Sequence, residues 1–191
     1  MGLVHRNGLG GLEKNPEAAL AWFKKAAAGG HPNAPANIGR MYWAGEIGGA
    51  KDAVSAIKWY DEGLSRGDAW GGANAAYVIM QARLREYGPW DAALRAGKAA
   101  ALRHPEAKAS ARKFLARMKP QWIDRATQML LNDMGADLAA DGAFGPGSQA
   151  ALAQVAAASG ESVPAGMAPA ERLVWLAGLH WKRGRFRVDL Y

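Results

Sequence analysis

Apolar residues recur at helical spacing in two consecutive segments between residues 33 and 68. In the first segment Ile38, Met41 and Tyr42 fall at i, i+3 and i+4, the spacing that places side chains on one face of a helix. The second segment repeats this spacing from Ala53 onward, and a glycine-rich turn separates the two. Because glycine readily adopts the positive φ angles of a chain reversal, the stretch predicts two helices packed as a hairpin.

The hairpin pattern repeats along the chain with a period of 37 residues. Trp22 lies 37 residues before Trp59, and Asn74 lies 37 residues after Asn37. A repeat period of roughly 20 to 50 residues indicates stacked units, each burying its apolar face against its neighbours. The sequence therefore predicts an α-helical solenoid of three copies over residues 1–105. The third copy is degenerate, with Ala-Gly where the second has Trp-Tyr.

The second copy resembles the Sel1-like repeat, a relative of the tetratricopeptide repeat. The matching pattern is G-x-x-Y-x-x-G followed by D-x-x-x-A-x-x-W-Y. The residues that carry it are Gly39, Tyr42, Gly45, Asp52, Ala56, Trp59 and Tyr60. The first copy matches from Gly2, with Trp22-Phe23 in the Trp-Tyr place. The resemblance implies a right-handed solenoid that binds a protein partner as a scaffold.

A different helical pattern begins at residue 120. Apolar residues between 123 and 134 share one helical face, and Gly135 is placed to end that helix. Pro146 and Pro169 stand where two further helices would start. The expected fold is all-α throughout, with the solenoid followed by a connecting helix and a small three-helix bundle. The bounds of those two parts are residues 106–119 and 120–191.

The start of this C-terminal segment resembles a peptidoglycan-binding domain. The family pattern is L-N-x-x-G, then D-G-x-F-G-P-x-[ST]-x-x-A-[VL]. It is matched by Leu131, Asn132, Gly135, Asp141, Gly142, Phe144, Gly145, Pro146, Ser148, Ala151 and Leu152. The resemblance implies a peptidoglycan site at Asn132, Asp141, Phe144 and Ser148.

The same motif also has a structural interpretation. Asp141 would cap the turn, Phe144 would fill a small core, and Ser148 would bond its own helix terminus. In that case any glycan would bind in the neighbouring groove.

Three tryptophans interrupt the apolar stripes or stand at the ends of predicted helices. They are Trp43, Trp70 and Trp90. Because tryptophan is enriched at the energetic centres of protein interfaces, these three are predicted to be exposed anchors for a protein partner.

Composition narrows the class of protein further. The net charge is +7 and no cysteine is present, so the sequence offers neither a disulfide nor a cysteine metal site. No apolar run approaches the 18 or so residues of a membrane span. A positive charge favours polyanions in general, but the basic run at residues 108–119 lacks a nucleic-acid-binding signature, so no nucleic acid partner is expected.

Catalytic motifs are missing from the sequence. The four histidines are widely separated, and none forms a metal-ligand pair with another. There is no phosphate-binding loop and no grouping of a nucleophile with a base. We therefore predict no catalytic residue, no metal and no cofactor, and expect the protein not to be an enzyme.

These patterns together predict a non-catalytic binding protein of the bacterial cell envelope, located in the periplasm. The solenoid would bind a protein, and the C-terminal bundle would bind peptidoglycan. One alternative is a protein scaffold without glycan binding. Another is the targeting tail of a larger hydrolase, since Met1-Gly2 begins at the repeat position of Gly39 and the chain reads as a piece of a longer protein.

Overall fold

The computed structural model describes residues 1–183, which form ten helices and no strand. In chain order they are α1 (Gly2–Asn7), α2 (Pro16–Ala28), α3 (Ala34–Ala44), α4 (Ala53–Ser65), α5 (Ala69–Ala82), α6 (Pro89–Ala101), α7 (Pro105–Leu115), α8 (Pro120–Asp133), α9 (Pro146–Ala157) and α10 (Pro169–Lys182). The predicted all-α fold is confirmed for this part of the chain.

Local sequence signals define most of the helix starts. Proline is the first residue of six helices. Its fixed φ angle suits a helix, and no hydrogen bond is lost because the N–H at this position has no partner within the helix. Side-chain caps act at two others: the Asp52 carboxylate accepts a hydrogen bond from the Ser55 N–H at 2.9 Å, and Asp68 accepts one from Trp70 N–H at 2.9 Å. The cap at Asp68 starts α5 at residue 69.

The helices stack in hairpin order. Within each hairpin the two helices pack against each other: α1 with α2, α3 with α4, and α5 with α6. Between successive hairpins, α2 packs against α3, α4 against α5, and α6 against α7. The helices α3 and α5 also touch each other, as do α5 and α7. Helix α7, predicted as a connector, therefore occupies the place of the first helix in a further repeat. We call the surface formed by α3, α5 and α7 the first-helix face.

A glycine–aromatic contact closes each of the first two hairpins. A Cβ added at Gly2 would lie 2.8 Å from the Phe23 ring, and one at Gly39 would lie 2.9 Å from the Tyr60 ring. Only glycine permits such an approach, because real Cβ atoms do not come this close to other atoms. Burial at this contact raises the pKa of Tyr60 to about 12. The same helix–helix contact thus recurs every 37 residues, as the sequence pattern does.

The third copy lacks both partners of this contact. Alanine replaces the glycine at Ala76, and Gly97 stands at the position of the aromatic ring. A Cβ at Gly97 would lie 2.6 Å from Leu173 Cγ. A leucine of α10 thus occupies the place of the missing ring, which explains why this copy departs from the pattern.

Helix α6 therefore joins the solenoid to the C-terminal helices. Both α8 and α10 pack against it, and one hydrophobic cluster continues from Ala56 in α4 to Leu179 in α10. A buried ion pair ties the same helix to the second repeat: Arg95 donates to Asp61 through Nε at 2.7 Å and Nη2 at 2.6 Å. The C-terminal helices thus share the core of the repeats they follow.

Replacing Gly97 with alanine tests this junction. We expect G97A to lower the free energy of unfolding by about 1–3 kcal/mol, because the new methyl group overlaps the buried Leu173 side chain. The matched control is Gly178 within α10, where a Cβ would meet no atom within 4 Å. G178A should raise stability by about 0.5–1 kcal/mol through helix propensity. The free energy of unfolding of both variants is measured by chemical denaturation. Equal stabilisation by the two substitutions would show that Gly97 does not pack tightly against Leu173.

Candidate functional site

A groove opens on the first-helix face between α3, α5 and the start of α4. Its volume is about 710 Å³. Its lining includes Trp43, Lys51, Asp52, Val54, Tyr77, Gln81 and Leu84. Tyr77 projects from the middle of α5 with 51% of its surface exposed. An exposed aromatic beside apolar neighbours is an unusual feature of a free surface and marks a candidate binding site.

A second, smaller cavity adjoins the first. It lies between α5 and α7, has a volume of about 140 Å³, and is bordered by Asn74, Ser110 and Phe114. Tyr77 lines both spaces. The two cavities therefore meet at this ring, and we call them together the first-helix groove.

Four neutral polar side chains of this groove have no hydrogen-bond partner within residues 1–183. They are the side chains of Asn74, Tyr77, Gln81 and Ser110. An amide both donates and accepts hydrogen bonds, as a peptide group does. The whole of α5 carries no charged residue. The middle of the groove thus offers neutral hydrogen-bonding groups and an aromatic ring.

The three predicted tryptophan anchors are not fully exposed, and the structure separates them. Only Trp43 lines the groove, and the Lys51 ammonium lies 4.9 Å from its ring centroid. Trp70 packs edge-on against the His104 ring, and the Arg125 guanidinium lies 3.8 Å from the Trp90 ring. These two rings are half-buried because each joins helices distant in sequence. Their proposed role in partner binding stays a prediction.

Sequence reasoning missed Tyr77, although a signal was present. The equivalent position one period earlier is Arg40, an exposed charged residue. An aromatic residue at a position that is charged in the neighbouring copy indicates a ring facing solvent. Comparing the copies position by position would have identified Tyr77.

In the C-terminal segment, Gln128 of α8 organises the loop that precedes α9. The Nε2 atom of its buried side chain lies within hydrogen-bond distance of three acceptors: Asp141 Oδ1 at 3.0 Å, the Ala143 carbonyl at 3.0 Å and Ser148 Oγ at 3.1 Å. Its two N–H groups are shared among these three acceptors. Its Oε1 accepts a hydrogen bond from Gly142 N–H at 2.9 Å. This amide was not singled out by sequence, because a lone glutamine in an amphipathic helix carries no motif.

Three of the four residues proposed for peptidoglycan binding hold the loop in place. Asn132 donates to the Leu138 carbonyl and accepts from the Leu138 N–H, at 2.9 and 3.0 Å. Asp141 Oδ1 accepts hydrogen bonds from the Ala143 N–H and from the Gln128 side chain. These two bonds, the first more than the second, lower the pKa of the Asp141 carboxyl. Ser148 is buried and bonds to Gln128 across the loop, so the predicted bond to its own helix terminus was wrong.

Phe144 is the fourth of these residues and is half-buried. The Arg172 guanidinium lies 3.6 Å from its ring centroid, and Arg172 Nη2 donates to Asp124 Oδ1 at 2.5 Å. The ring therefore connects the loop to α10 and α8. Of the four proposed glycan-site residues, Asp141 is exposed, Asn132 and Phe144 are half-buried, and Ser148 is buried.

Between residues 1 and 183, no group of three or more histidine, aspartate and glutamate side chains is arranged to hold a metal ion. No helix in that range combines the length and apolar character that a membrane crossing requires.

Comparison with known families identifies the N-terminal part. Residues 1–31 and 32–68 each match the Sel1 repeat. This confirms the first two predicted copies, whereas the third rests on spacing and packing, and the match does not reach the C-terminal segment. Sel1 repeats are generally non-catalytic scaffolds for protein–protein interaction. A comparison with curated proteins found no match.

Substituting Gln128 tests the structural role of the loop. We expect Q128L to lower the free energy of unfolding by about 2–3 kcal/mol, because it leaves several partly buried polar groups without a partner. The matched control is Gln149 on the exposed surface of α9, where Q149L should change stability by less than about 0.5 kcal/mol. Thermal unfolding of both variants provides the measurement, and equal effects would mean that the Gln128 network contributes nothing.

Proposed function

We propose that this chain is a non-catalytic scaffold that holds a segment of a partner protein in the first-helix groove. The observation that carries the proposal is the arrangement around Tyr77. This exposed ring lies where two cavities meet, among amide and hydroxyl groups that form no hydrogen bond in residues 1–183. Rings and unpaired amides together suit the side chains and backbone of a bound polypeptide.

The packing of the C-terminal helices supports this choice of surface. Helices α8 and α10 pack against α6, which is the second helix of the third hairpin. Helix α10 makes no extensive contact with the first helices α3, α5 and α7. The N-terminal repeats are of a kind that generally binds proteins. A partner segment would therefore find the first-helix face open.

A peptide selection tests the proposal. A displayed library of random dodecapeptides is passed over the immobilised chain, and enriched peptides are measured against wild type, Tyr77→Ala and Trp22→Ala. Trp22 is a suitable control because it is also an exposed ring, at 41%, but lies on α2 away from the groove. We expect Y77A to weaken binding at least about tenfold, as truncated interface aromatics do, and W22A to leave it unchanged. Failure to enrich any peptide, or equal loss in both variants, would reject the groove as the binding site.

We further propose peptidoglycan binding through the C-terminal loop, with a periplasmic location as its consequence. The support is the D-G-A-F-G-P motif together with the accessible surface of Phe144 and Asp141. The first-helix groove does not depend on this second function. A scaffold without glycan binding, or a tail of a larger hydrolase, would use the same groove.

Sedimentation with insoluble peptidoglycan tests the second proposal. We expect retention that persists at about 1 M salt, where the Debye length is only about 3 Å. Asp141→Asn should reduce retention while keeping an acceptor for the Ala143 N–H, and Glu161→Gln, an exposed acid outside the loop, serves as control. Retention abolished by salt would show only attraction between a protein of charge +7 and an anionic polymer.

A further inference from the structure

The charges around the first-helix groove are unevenly distributed. Five exposed cationic residues lie near the C-terminal ends of the first helices: Lys51, Arg83, Arg85, Lys113 and Arg117. Four of them are in the last turn of α5 or α7 or just beyond it, and Lys51 ends the turn between α3 and α4. Lys51 lines the groove itself, and the other four mark the edge of the first-helix face beside it. None of them forms an ion pair in the part of the chain described.

Three acidic residues lie near this edge. Asp52 lines the groove, and the hydrogen bond that it accepts from the Ser55 N–H leaves its negative charge in place. Glu46 follows α3 and is paired with Arg6, whereas Glu86 is exposed in the turn after α5. The five cations thus outnumber the two acids without an ion pair, and an excess of positive charge remains along this edge in residues 1–183.

We propose that the partner segment held in the first-helix groove is acidic, with an aromatic or aliphatic side chain against Tyr77 and carboxylates facing the cationic edge. This inference rests on the proposed scaffold function and adds the chemical class of the partner. Complementary charge mainly selects the partner and accelerates its association. The apolar contact at Tyr77 and Trp43 would supply the anchor.

The distribution of these charges favours a polypeptide over a nucleic acid. A single strand needs cations at intervals along its path and rings on which its bases stack. Here the cations follow one edge, and α5, which runs through the middle of the groove, is uncharged. Its Asn74 and Gln81 amides instead match the hydrogen-bonding pattern of a peptide backbone.

Three peptide libraries of equal aromatic content provide the test. They differ only at alternate positions, which carry Asp/Glu, Asn/Gln or Lys/Arg. Against the whole chain we expect the acidic library to enrich at least about tenfold over the amide library, and the basic library not to enrich. Enrichment of the amide library to the same degree would overturn the acidic preference while leaving the scaffold function intact. Enrichment of none would reject the scaffold function itself.

Charge reversal locates the preference. The double variant Lys113→Glu and Arg117→Glu should weaken binding of a selected acidic peptide about tenfold or more and reduce its dependence on salt. The control is Lys24→Glu with Lys58→Glu, two exposed lysines of α2 and α4, which changes the net charge equally. Equal loss in both variants would overturn the inference, because only the overall charge would then matter.

A nucleic acid competitor completes the design. Unlabelled oligodeoxythymidylate of about twenty nucleotides is added to the peptide complex. We expect it to compete poorly, since the uncharged middle of the groove offers no site for phosphates. Displacement at concentrations equal to the peptide would overturn the proposal in favour of a nucleic acid ligand.

Discussion

The close approach of helices at positions without a side chain is the constraint on which this structure depends. Glycine at positions 2 and 39 leaves room for the rings of Phe23 and Tyr60, and Gly97 leaves room for Leu173. Helices joined by short turns must bury their apolar faces on their immediate neighbours. Their separation is therefore set by these contacts, and capping residues and ion pairs act on helices already held at that distance.

The loss of both the glycine and the aromatic ring at these positions in the third copy changes what packs on its second helix. Where the earlier copies place a ring against their own first helix, the third opens a space on α6 that a leucine of α10 fills. The apolar end of the repeat array is thereby covered by the chain itself, as terminal repeats generally require. Because this cover packs on α6, the first-helix face stays accessible for the proposed partner.

Polar groups serve two different purposes in the two halves of the molecule. Around Gln128 they satisfy one another, so a motif that resembles a ligand site acts largely to hold a loop. Around Tyr77 the neutral side chains have no hydrogen-bond partner within residues 1–183, and the five neighbouring cations form no ion pair in that range. Buried groups must find hydrogen bonds on folding, whereas groups left open on a surface retain that capacity for a ligand.

The sequence by itself determined the helical class, the period of the repeats and most helix starts, because proline, capping side chains and apolar spacing act within a few residues. Trp43, one of the three predicted tryptophan anchors, lines the groove, and its role in partner binding stays a prediction. Only the tertiary structure decided that α7 takes a first-helix position, that Gln128 holds the C-terminal loop, and that Trp70 and Trp90 pack between helices. These outcomes depend on residues far apart in the chain. Local spacing shows which face of a helix is apolar, but which neighbour covers that face is settled only when the helices pack.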